Sequence, residues 1–110
     1  MSRVLRLTDR NFDQEVRQGE IPALVEFTAS WCLPSQQQKP LIEELAKEYS
    51  GRLNIGELNV DQNPRIAAEY KIMGCPTFIT FNAGKTLQRR VGAQSKKQLI
   101  ELIRSAIDSH

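Results

Sequence analysis

Hydrophobic residues recur along this chain with two different periods, and the period changes at turn-forming residues. Residues 4–7 (VLRL) alternate apolar and basic positions and predict a short strand. Thr8 then offers a helix N-cap, Asp9 an acidic first turn and Gly19 a stop, which predicts a helix between them. The stretch "PALVEFTAS", bounded by Pro22 and Ser30, is rich in strand formers. It feeds directly into "WCLPSQQQKPLIEELAKEYSG", where Leu41, Ile42, Leu45, Ala46 and Tyr49 fall at helical spacing before Gly51 closes the helix. Pro34 suits a first helical turn, whereas Pro40 lies inside the pattern, where a missing backbone donor predicts a kink.

Farther on, "RLNIGELNVD" reads as a strand, "NPRIAAEY" as a short helix, "TFITF" as a strand, "NAGK" as a tight turn and "TLQRRV" as its antiparallel partner. A last helix starting at Ser95 would bury Leu99, Leu102, Ile103, Ala106 and Ile107. The order is β-α-β-α-β-α-β-β-α. Its alternating part implies parallel strands covered by helices on both faces, and its closing hairpin adds antiparallel strands. The expected architecture is a three-layer α/β/α domain with a central mixed sheet, one domain over residues 1–110, with no repeat or linker.

Charge adds little to this picture: 15 Lys plus Arg against 13 Asp plus Glu leave a formal +2. That is too mild to suggest a nucleic-acid or anionic-membrane partner. The N-terminal "MSRVLRLTDRNF" has no apolar stretch of signal-peptide or membrane-span length, so a cytoplasmic protein is expected. Two cysteines, Cys32 and Cys75, do not make a disulfide framework. In a reducing compartment such cysteines are buried hydrophobes, metal ligands or reactive thiols. Glu26 alternates with Val25 and Phe27 on a strand covered on both faces, where a carboxylate without a partner is costly and titrates high.

Three patches coincide: "ALVEFTASWCLPS", "VDQNPRIAAEYKIMGCPTFITF" and "AGKTLQRRVGAQSKKQLIELI". Over nearly its whole length the chain resembles the thioredoxin family, which implies the thioredoxin fold and thiol–disulfide exchange with protein disulfides. The family's W-C-G-P-C segment is changed here at Leu33 and Ser35. By the resemblance Cys32 is the nucleophile, and its place at a helix N-terminus, where unpaired amides and the helix dipole favour thiolate, supports that role. Ser35 holds the position of the resolving cysteine. A hydroxyl forms no disulfide, though it can hydrogen-bond to a Cys32 thiolate. Ser35 arises either in a natural single-thiol relative or by replacement of a cysteine, and the residues leave both open.

The resemblance also implies that Pro76 is cis and faces the active thiol. Cys75 before it is then either a small apolar filler or a second thiol able to replace the resolving group, given Cα atoms within roughly 7 Å. Glu26 resembles the family's buried proton acceptor. Glu57 stands where the family commonly has lysine, so two acids would press one carboxyl toward its neutral form. Trp31, Leu33, Pro34, Gly74, Pro76, Thr77, Gly92 and Ala93 match the rim that receives an extended client peptide. Thr28 stands where many members carry a second tryptophan. His110, the only histidine, is terminal, which argues against a Cys–His pair.

The resemblance implies no cofactor and no metal, a monomer, and either a thioredoxin reductase or glutathione as reductant. Two other functions compete: a peptide-binding chaperone with an incidental thiol, and a monothiol iron–sulfur carrier, since C-x-x-S resembles the C-G-F-S of monothiol glutaredoxins. Two thiols per chain could hold a cluster only with a second chain or added glutathione.

Overall fold

The hydrophobic strands assemble into one five-stranded sheet in the computed structural model, which describes residues 4–109. The sheet order is β1 (Leu5–Leu7), β3 (Asn54–Asn59), β2 (Ala23–Thr28), β4 (Thr77–Asn82) and β5 (Lys85–Val91). β3 runs parallel to both β1 and β2, while β4 runs antiparallel to β2 and β5. The sheet is therefore mixed, as the element order implied. The closing hairpin lies beside the central strand β2, and only β5 forms the edge on that side. Its turn places Ala83 and Gly84 both at positive φ, +54° and +79°, the conformation that matches the twist of a tight hairpin.

Side chains of β2 alternate across the sheet and divide the core in two. Leu24 faces α1 (Leu33–Glu48) and α3 (Lys96–Ile107), packing with Ile42, Leu45, Ile55, Phe78, Leu99 and Ile103. Val25 and Phe27 face the opposite layer, with Phe12, Val16, Ile66 and Phe81. That layer holds α2 (Pro64–Glu69) and the segment between β1 and β2. The strong 3.6-residue pattern of α3 is realised, with Ser95 closing a reciprocal capping box with Gln98. Ile107 packs only at the margin of the core.

The first helix departs from expectation. Thr8 caps the turn that leads into it, its hydroxyl accepting from the Arg10 and Asn11 amides at 3.2 Å, while Phe12 stands at the helix N-cap without a side-chain bond. The segment then widens into a π-type turn over Asp13–Arg17, where the Gln18 amide donates to the Asp13 carbonyl at 2.8 Å, five residues back. Hydrophobic spacing does not distinguish a four-residue from a five-residue ladder over one turn. α1 runs from Leu33 to Glu48 through Pro40 without interruption. Pro40 itself is exposed. Among the described residues, no helix is long and apolar enough to cross a membrane.

Candidate functional site

The C-terminal end of β2 and the turn that enters β4 bring the two cysteines together. β2 ends at Thr28, and the chain turns so that the Cys32 amide donates to the Ala29 carbonyl at 3.1 Å. Cys32 then occupies the N-cap of α1. Pro34 has no N–H, so the amides that the first turn presents at the helix end are those of Leu33 and Ser35. On the other side, the cis Cys75–Pro76 peptide leads into β4. Cys32 and Cys75 are joined as a disulfide, with Cα atoms 6.2 Å apart, inside the range such bonds span. The proximity comes from β2 and β4 being sheet neighbours, although 43 residues separate the two in sequence.

Glu26 lies on the same face of β2 as Leu24, beneath α1, and is 2% exposed. Ser35 and Lys39, four residues apart, share the helix face above it. The Ser35 hydroxyl donates to Glu26 Oε2 at 2.7 Å, and Ser35 Oγ is also paired with Thr28 Oγ1. One hydroxyl carries one hydrogen, so with Ser35 donating to Glu26, Thr28 donates to Ser35. The expected hydrogen bond from Ser35 to a Cys32 thiolate is therefore not available while Glu26 accepts. Thr28 had no assigned role from the sequence. The signal that could have found it is strand alternation, which puts Thr28 on Glu26's face one step nearer α1.

Burial pushes the Glu26 carboxyl from 4.5 up to about 7. The hydrogen bond from Ser35 pulls it back down, Glu57 raises it and Lys39 lowers it. Glu57 acts from the adjacent strand, where it is the register partner of Glu26 on β3. The acid pair thus presses Glu26 toward its neutral form, as expected of two acids. Beside it opens a polar cleft lined by Thr28, Gln36, Lys39, Glu57 and Asn59 among others, which gives the buried carboxyl a nearby aqueous boundary.

The rim surrounding the disulfide is largely apolar. Trp31 is 67% exposed and Met73 96%, and Leu33 and Val91 are also open to solvent. Trp31 is held by its indole N–H, which donates to Asp61 Oδ2 at 2.8 Å. A Cβ at Gly74 would lie 2.6 Å from a methyl of exposed Val91, so a side chain there would displace the Val91 side chain. Gly92 has φ +94°, and its amide donates to the Pro76 carbonyl at 2.7 Å. The loop carrying Gly92 and exposed Ala93 is tied to α1 through Gln38 Oε1, which accepts from the Gln94 amide at 3.2 Å. Leu33 and Pro34 are exposed and Pro76 is buried.

Thr77, expected on the rim through its backbone, has a buried side chain. Its hydroxyl donates to the Gly74 carbonyl at 2.7 Å, and its backbone lies between Phe27 and Val91. It braces the turn that carries Cys75. Asp61, Met73 and Val91 were missed by sequence reasoning, because only the folded sheet brings them beside the disulfide. His110 lies outside the described residues. Among the described residues, no group of three or more His, Cys, Asp or Glu is placed to hold a metal ion.

A thioredoxin family model matches residues 3–105. The thioredoxin of Buchnera aphidicola subsp. Acyrthosiphon pisum is 40% identical over 103 residues, covering 94% of this chain and 95% of its own. That of Staphylococcus saprophyticus is 42% identical over 100 residues, covering 91% and 94%. That of Acidithiobacillus ferridurans is 39% identical over 104 residues, covering 94% and 96%.

Proposed function

The chain belongs to the thioredoxin family and is a thiol–disulfide oxidoreductase of that general kind, and from this premise we propose that its working redox couple is Cys32 with Cys75. Ser35 holds the usual resolving position without resolving anything. In the reduced protein the Cys32 thiolate attacks one sulfur of a client disulfide, forming a mixed disulfide and releasing the other client sulfur as thiolate. Cys75 thiolate then attacks Cys32 Sγ, closing the Cys32–Cys75 bond and expelling the second client thiolate. Two electrons pass to the client, and no further oxidant is consumed. The observation that carries this reading is the joining of the two cysteines across β2 and β4.

Glu26 serves as the buried proton carrier. When ionised it accepts from Ser35, and when protonated its own O–H can donate to Ser35 Oγ, which frees the Ser35 hydrogen for Thr28 or a Cys32 thiolate. Client segments dock in extended form on the apolar rim formed by Trp31, Leu33, Pro34, Gly74, Gly92 and Ala93, with Pro76 at its floor. Clients are protein disulfides, the reductant is a thioredoxin reductase or glutathione, and the protein works as a cytoplasmic monomer.

Intact mass after mild diamide oxidation tests the couple. The expected product is a monomer lighter by two hydrogens and resistant to alkylation. A disulfide-linked dimer or a small-thiol adduct without an internal bond would leave Cys32 acting alone as a single thiol.

A further inference from the structure

Both cysteines lie beyond the sheet ladder that brings them together. The last β2–β4 pair is Phe27 with Thr77, whereas Cys32 follows the end of β2 and Cys75 precedes the start of β4. While the S–S bond exists, it holds the two sulfurs itself. When Cys32 is joined to a client instead, only non-covalent ties keep Cys75 within reach.

One such tie is built on Gln38. Its Oε1 accepts from the Gln94 amide at 3.2 Å and its Nε2 donates to the Gln94 carbonyl at 2.5 Å, so one primary amide grips both main-chain groups of one residue. Gln94 is 9% exposed, and its own side chain donates to the Gly92 carbonyl at 3.0 Å. The Gly92 amide donates in turn to the Pro76 carbonyl at 2.7 Å. The contacts thus run from α1, capped by Cys32, through Gln38, Gln94 and Gly92 to Pro76, which follows Cys75. Gln38 sits fewer than two helical turns from Cys32, so the helix passes a displacement on with little bending. Farther along α1, Glu44 pairs with Lys96, but both side chains are more than half exposed, where an ion pair contributes little.

We infer that Gln38 is a positioning residue for the Cys32–Cys75 couple: through Gln94 it holds α1 against the loop bonded to Pro76 and keeps Cys75 in place to resolve the mixed disulfide. This rests on the couple proposed above. A clamp that favours closeness of the two sulfurs is itself favoured once they are bonded, by linkage. Gln38 therefore raises the effective concentration of one thiol at the other. Glutathione disulfide measures that concentration: protein dithiol plus glutathione disulfide gives the Cys32–Cys75 bond and two glutathione thiols.

Full-length protein is equilibrated in glutathione buffers at fixed pH, acid-quenched and alkylated, and its reduced and oxidised forms are counted by mass. Gln38→Met keeps the side-chain length and loses both hydrogen bonds. Its equilibrium constant for disulfide formation should fall about tenfold, a reduction potential about 30 mV less negative. A purely structural contact would destabilise the oxidised and reduced proteins alike and leave the constant where it was. Unfolded in guanidinium, variant and wild type should agree. Where Gln38→Met fails to fold, Gln38→Glu serves: ionised, it still accepts from the Gln94 amide but has no hydrogen for the carbonyl, and the constant should fall about threefold. An unchanged constant in the folded variant, or the same fall in the unfolded chain, overturns the inference and leaves the couple standing. Wild-type protein that forms no internal disulfide at any glutathione ratio removes the couple, and this inference with it.

Discussion

The two sides of the disulfide differ in almost every physical respect. Beneath α1, on the Cys32 side, polar groups are buried and mutually paired: Glu26, Ser35 and Thr28 form one hydrogen-bonded chain, with no buried side-chain polar atom left unpartnered among the described residues. Around the disulfide the surface is open and apolar, with Trp31 and Leu33 flanking Cys32 and Met73 near Cys75 projecting into solvent. Low dielectric on the first side shifts the titration of a carboxyl, which suits holding a proton. Exposed apolar area on the second suits contact with another chain. The disulfide lies between the two regions.

Removing the thiol on the open side should break this division most severely. Cys75→Ala leaves the first attack in place but no internal resolving group, so turnover on a protein disulfide should fall about 100-fold or more. A Cys32-linked client adduct should accumulate on non-reducing electrophoresis. Unchanged turnover would mean that Cys75 takes no part.

The buried side is tested by Glu26→Gln. A folded-state carboxyl raised to about 7 from 4.5 keeps its proton where the unfolded chain has lost it. Raising the pH through this window therefore favours unfolding, and at about 1.4 kcal/mol per pH unit the wild-type loss amounts to ~3 kcal/mol above pH 7. The substituted amide cannot ionise, so denaturant midpoints of the variant should lack this decline, and the variant should gain on wild type between pH 5 and pH 8.5. Parallel pH profiles for the two proteins would contradict the assignment.

The smallest effect is expected on the rim. Asp61→Ala frees the Trp31 indole from its exposed partner. Stability should change by less than about 1 kcal/mol, while the tryptophan fluorescence anisotropy falls and the KM for protein disulfides rises two- to threefold at unchanged kcat. A fall in kcat alone would place Trp31 in the chemistry and not in docking.

Much of this arrangement was legible beforehand, and the parts that were not have a common cause. The strands, α1 and α3 follow from period and punctuation, because apolar side chains repeating every second or every third to fourth residue can be buried in only one way. Glu26 was recognisable as buried from two apolar neighbours on an inner strand. The π-type turn at Asp13–Arg17 was not, since both helical ladders bury Val16. The burial of the Thr77 side chain was not legible either, because it depends on the strands lying on both sides of it.

Near neighbours in the chain encode the layered α/β/α order, the place of Cys32 at a helix start and the presence of a buried acid at Glu26. Tertiary structure alone decided that Cys75 meets Cys32, that Thr28 and Ser35 engage Glu26, and that Asp61 holds Trp31. The physical reason is sheet order. Only the antiparallel placement of β4 against β2 brings residue 75 within 6.2 Å of residue 32, and local periodicity does not specify which strand lies beside which.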